Sequence, residues 1–147
     1  MREPSRSNVL LPMPADLGRA GEVLLFAIRR SAVGGLRDAH AAQAMLGLFG
    51  LSHRRPLILL RALMAELARA SARSIVVAPC CCPQMTAGEA ALLRAISTAT
   101  DDATTARSSL AEVLGTDDCL GAVVTAQALG QAFQDLGRPL TEARVTC

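Results

Sequence analysis

The chain has 147 residues, 51% of them apolar, and a formal net charge of +2, a length and balance suited to one domain with a buried core. Tyr and Trp are absent and Phe26, Phe49 and Phe133 are the only aromatic residues, too few for a β-sandwich or barrel, so Ala- and Leu-rich helices are expected. Acids are mixed among the arginines, which excludes a dedicated nucleic-acid binder with its strongly basic face, and the lack of rings removes base-stacking platforms.

Residues 1–15 carry Pro4, Pro12 and Pro14 among serines and read as a flexible N-terminal arm. A single helical domain is expected over residues 16–140. Asp16 can cap a first helix whose apolar part is Val23, Leu24, Phe26, Ala27 and Ile28, with Gly34-Gly35 as its stop. Asp38 can cap a second, ending at Gly50. A third runs from about Pro56 to Ala72, where Leu57, Leu60, Leu63, Met64 and Leu67 recur at helical spacing and Glu66 can pair with Arg69. Ile75-Val76-Val77 reads as an extended plug over the core rather than a strand, because no partner strand is visible. Thr86-Ala87-Gly88-Glu89 is a capping box that opens a fourth helix. Poor helix formers and strong caps at Ser97–Asp102 break it, and a fifth helix runs from Ala103 to Leu114. After Gly115, Thr116-Asp117-Asp118 is placed as the cap of a last helix that closes at Gly137, and residues 141–147 form a tail. The fold expected is all-α, an antiparallel bundle of five to six helices with one extended Cys/Pro loop.

That loop is the chemically distinctive part of the chain. Cys80-Cys81-Cys82 is followed by Pro83 and Met85, with Pro79 and Pro83 holding it out of helix geometry. Up-down packing of the helices places Cys119 at the same end of the bundle, provided the break near Thr100 is real. Cys80, Cys81, Cys82, Met85 and Cys119 are thus the candidate ligands for a soft metal centre. Adjacent cysteines suit tetrahedral zinc poorly, whereas Cu(I) accepts two or three thiolates beside a Met. An iron–sulfur cluster would need a non-standard spacing, and Cys82-Pro83 is a weak haem-thiolate signal with His40 or His53 as the only opposite ligands. A redox reading needs only neighbouring thiols: Cys82, near a helix N-terminus, forms a sulfenic acid, and Cys119 or Cys80 resolves it. A thiol enzyme would need His53 as base, and the topology puts His53 at the other end. The competing reading is that the cysteines are small apolar residues filling the cap of the bundle.

Five cysteines with no export signal point to reduced thiols in the cytoplasm. The apolar stretch at Val9-Leu10-Leu11 is too short for a signal-peptide core, and the run from Pro56 to Ala65, broken by Arg61 and followed by Glu66, cannot span a bilayer. The function expected is a non-enzymatic protein that binds a soft metal centre or senses redox state through the Cys loop. The alternative is a helical adaptor or regulatory protein with packed cysteines, and a thiol-dependent enzyme stands third. A homodimer or another protein partner, and neither nucleic acid nor a membrane span, fits this composition.

From His53-Arg-Arg-Pro through Cys80-Cys-Cys-Pro-Gln-Met-Thr to Asp118-Cys-Leu-Gly and Gly137-Arg-Pro-Leu, the chain resembles a family of short alphaproteobacterial proteins of unknown function, over roughly residues 53–140. The resemblance implies a small helical protein and brings no activity, cofactor or catalytic residue with it.

Overall fold

The computed structural model describes residues 10–14 and 17–140. The capping role expected of Asp16 and the tail at 141–147 lie outside the described residues. Among the described residues there are six α-helices: α1 (Gly18–Gly34), α2 (Ala39–Phe49), α3 (Arg54–Ala70), α4 (Ala87–Thr98), α5 (Ala103–Leu114) and α6 (Leu120–Asp135). A 3₁₀ turn, Gly50–His53, joins α2 to α3. The all-α bundle is therefore observed.

Local chemistry sets most of these boundaries. The Asp38 carboxylate accepts from the amides of His40 and Ala41 at 3.0 and 3.1 Å and starts α2. Thr86 and Glu89 form the reciprocal capping box that starts α4. Asp102 accepts from the Thr105 amide at 3.1 Å and starts α5, so the helix break expected near Thr100 is present. Gly115 ends α5 in the left-handed conformation that favours glycine (φ 71°). Two boundaries differ from expectation. Helix α3 begins two residues early at Arg54, which leaves Pro56 in the first turn, where its missing N–H costs nothing. At α6 it is Cys119 that occupies the N-cap, without a side-chain cap, while the Thr116 hydroxyl serves the Asp118 amide at 3.2 Å.

The helices pack as neighbouring pairs. α1 lies along α2, and α4 along α5. α3 and α6 run antiparallel: Arg55 Nη1 meets Asp135 Oδ2 at 2.9 Å at one end, and Glu66 lies against Gly121 at the other. The Ala72 amide donates to the Leu114 carbonyl at 2.9 Å, which brings the C-terminal ends of α3 and α5 together beside the start of α6. Leu24, Ile28, Leu60, Leu92, Leu129 and Phe133 sit at the centre of one core. The Phe49 and Phe133 rings meet edge to face with centroids 4.9 Å apart.

The proline-bearing N-terminal segment is not wholly an arm. Leu10–Pro12 (β1) pairs antiparallel with Gln84–Thr86 (β2), with Leu11 opposite Met85. The partner that Ile75–Val77 lacks is thus supplied to the segment just after the cysteines instead. Ile75–Val77 lie outside any ladder, and Ile75 packs against the core.

Gly130 marks a close approach between the backbones of α6 and α4. A Cβ built there would lie 2.7 Å from the Ile96 carbonyl oxygen of α4. Gly130→Ala is expected to force α4 and α6 apart and to lower stability by about 1–3 kcal/mol, read as a lower urea midpoint with an unchanged helical circular-dichroism spectrum.

Candidate functional site

The Cys loop is held by a buried ion pair. Leu25 and Arg29 are four residues apart in α1, so the stripe that buries Leu24, Leu25 and Ile28 also buries Arg29, which is 3% exposed. Its charge is met by Glu89, the third residue of α4, itself 1% exposed. Arg29 Nε donates to Glu89 Oε2 at 2.7 Å and Nη2 to Oε1 at 3.1 Å, a bidentate fork. The remaining capacity of both groups goes to the chain around the cysteines. Arg29 Nη1 donates to the Cys82 carbonyl at 2.9 Å, and Nη2 to the Gln84 carbonyl at 2.6 Å. Glu89 accepts the amides of Thr86 at 2.8 Å and Ala78 at 3.3 Å. The Thr86 hydroxyl accepts the Glu89 amide at 3.0 Å and donates to the Val76 carbonyl at 2.7 Å. Segments on both sides of the cysteines are therefore tied to one guanidinium–carboxylate pair.

Between those ties the Cys82 amide donates to the Pro79 carbonyl at 3.0 Å, closing a four-residue turn. Cys80 and Cys81 occupy its two corners, and their sulfurs lie 3.7 Å apart. Cys81 is exposed and Cys80 half-buried. The Cys80 sulfur pushes the Cys81 thiol up. Beside Cys80 stands Arg30, which forks onto Asp38 with Nη2–Oδ2 2.9 Å and Nε–Oδ1 3.3 Å, and donates to His40 Nδ1 at 3.3 Å. The guanidinium is raised above its ordinary value, first by the Asp38 carboxylate and in smaller part by the Cys80 sulfur. Consecutive arginines thus serve different ends: Arg29 faces inward to the loop backbone, and Arg30 lies beside a thiol at its tip.

The five residues expected to converge are placed in three environments. Cys80 and Cys81 are brought together at the turn. Cys82 contributes its backbone, amide to Pro79 and carbonyl to Arg29. Met85, 3% exposed, belongs to the buried core cluster that also holds Leu17 and Leu92. Cys119 is fully buried in that cluster, and its thiol donates to the Arg107 carbonyl of α5 at 3.8 Å. Among the described residues no three His, Cys, Asp or Glu side chains are gathered as a metal-ligand set. His40 is engaged by Arg30, and His53 Nδ1 donates to the Gly50 carbonyl at 2.9 Å within the 3₁₀ turn.

Sequence reasoning missed Arg29. The available signal was its position on the apolar stripe of α1, where a charged residue needs a buried partner. Glu89 was visible as a capping residue, and its second role was not.

Two measurements probe this arrangement. Arg29→Met leaves the Glu89 carboxylate uncompensated in the interior, and is expected to cost about 3–5 kcal/mol in urea unfolding and to speed alkylation of Cys80 and Cys81 as the loop loosens. Arg30, and then the Ala41 and His40 amides, hold the Asp38 carboxyl below the ordinary carboxylate value. Because that folded value is depressed, the stabilisation is complete above the ordinary pKa of about 3.9 and is lost as pH falls through the folded one. Asp38→Asn, which keeps a capping oxygen, should be less stable than the unmodified chain at neutral pH, and the gap in thermal midpoint should close on acidification below about pH 4.

No helix among the described residues is long and apolar enough to cross a membrane. No curated protein and no solved structure matches the chain. Over residues 3–138 it matches the model of a family of unknown function (DUF6628), and it belongs to that family.

Proposed function

We propose that this protein is a non-enzymatic redox sensor whose responsive element is the Cys80–Cys81 dithiol. The observation that carries this reading is the 3.7 Å approach of the two sulfurs at the solvent-facing turn. Arg30 stands beside Cys80, and Cys81 supplies the second sulfur. With hydrogen peroxide as oxidant, the Cys80 thiolate attacks one peroxide oxygen and becomes a sulfenic acid as the O–O bond breaks, and the other oxygen departs as water after taking a proton. Cys81 sulfur then displaces the sulfenic oxygen as a second water, and the two thiols have lost two electrons and two protons to a disulfide.

Adjacent Cα atoms are only about 3.8 Å apart, shorter than the usual span of a disulfide. A bond between neighbours is consequently strained and easily reduced, which suits a reversible switch better than a structural staple. The cytoplasm, where thiols are kept reduced, is the compartment in which such a switch would rest in its dithiol form. The same two sulfurs also offer a two-thiolate site to a soft ion such as Cu(I), and this is the second reading. Ile58 on α3 and Leu120 and Val124 on α6 are exposed, and a homodimer through that pair of packed helices is the assembly they support.

Treatment with hydrogen peroxide should remove two hydrogens from the intact mass and two titratable thiols, both restored by dithiothreitol, with the bridge mapped to a peptide holding Cys80 and Cys81. In Cys81→Ser the sulfenic acid should persist long enough for dimedone capture. Oxidation that goes directly to sulfinic acid, or that links chains through Cys81, defeats the sensor reading. Cu(I) bound at one equivalent and abolished by either Cys80→Ser or Cys81→Ser, without a mapped disulfide, would favour the metal reading.

A further inference from the structure

The segment that precedes the cysteines lines a groove that the dithiol chemistry does not use. Arg73, Ile75 and Val77 belong to this segment. All three line an open groove of about 600 Å³, opposite Met64 and Ala68 of α3 and Ile28 of α1, with Leu92 of α4 also lining it. Ile75 and Val77 are only half-buried, so β-branched apolar surface remains open to this space. Arg73 is the one charged residue among the described residues that line the groove. It rests against Gly115 at the C-terminus of α5, since a Cβ there would lie 2.5 Å from Arg73 Nε, and that helix end holds a cation in place. Among the described residues no carboxylate pairs with Arg73. The Ser71 hydroxyl donates to the Arg73 carbonyl and steadies the turn from which the side chain leaves.

We propose that this groove binds a single acyl chain bearing an anionic head group, with the chain along Ile75, Val77 and Met64 and the head on Arg73. The volume falls in the range of small-ligand sites, and the pairing of apolar walls with one fixed charge is how such sites orient an amphiphile. Neither the groove's occupant nor its affinity depends on the state of Cys80 and Cys81.

Isothermal titration of the full chain, with methyl NMR to localise the site, tests this with three probes below their self-association concentrations: dodecanoate, dodecyl phosphate and dodecanol. Saturable binding of at least one of the two anions is expected, with shifts at the methyls of Met64, Ile75 and Val77, and the preferred anion separates a carboxylate from a phosphate ligand. Dodecanol should bind about tenfold or more weakly. Arg73→Gln should erase that preference by weakening the anion about tenfold and leaving dodecanol unchanged, and Ala68→Trp should block all three. Ala32→Trp at the same groove serves if Ala68→Trp fails to fold. Absence of saturable binding, an anion affinity indifferent to Arg73→Gln, or binding that survives a folded groove-filling variant overturns the proposal.

Discussion

The Arg29–Glu89 pair is the constraint on which the rest of the structure turns. Two opposite charges withdrawn from water carry a large desolvation cost, and their attraction offsets it only when every remaining donor and acceptor is used. Here the carboxylate takes a guanidinium fork and two backbone amides, and the guanidinium reaches two further carbonyls. The ends of these bonds lie on α1, on α4 and on the chain at residues 78, 82, 84 and 86. A pair satisfied in this way acts less as glue than as a register mark, because sliding α1 against α4, or shifting the loop by one residue, would strand several buried polar groups at once.

This arrangement explains how three consecutive cysteines come to have different fates. With both flanks of the loop anchored, the turn between them has little freedom, and the Pro79–Cys82 hydrogen bond sets its corners. Cys82 lies at the anchored edge, where its carbonyl is consumed by Arg29. Cys80 and Cys81 lie at the free edge, where their sulfurs face each other and Arg30. Cys119, from a distant part of the chain, is a small apolar side chain of the core. The chemistry available to a thiol here is decided by the backbone that carries it more than by the residue type.

Residues 74–77, between α3 and the loop, lie outside both helix and sheet. Ile75, Val76 and Val77 are all half-buried there, so apolar surface stays partly open. The groove and the dithiol turn are therefore consecutive stretches of one connector, framed by the end of α3 and the start of α4.

The helices were legible from local signals. Asp38, Asp102 and the Thr86–Glu89 box are caps whose partners lie within three residues, and Gly50 and Gly115 are stops whose backbone needs no distant contact, so periodicity and capping located α2, α3, α4 and α5 to within a few residues. The first strand was not legible, because Leu10–Pro12 is a strand only by virtue of Gln84–Thr86, some seventy residues away. The site was half legible: the cysteine run announced the loop, and nothing in it foretold that Met85 and Cys119 would be withdrawn into the core. By itself the sequence determined which stretches are helical and where soft sulfur is concentrated, since both follow from residue type and near neighbours. Only the tertiary structure decided which sulfurs meet and which charge is buried, because the mate of Arg29 is sixty residues away, and a charge is driven to find its partner only when packing has removed the water around both.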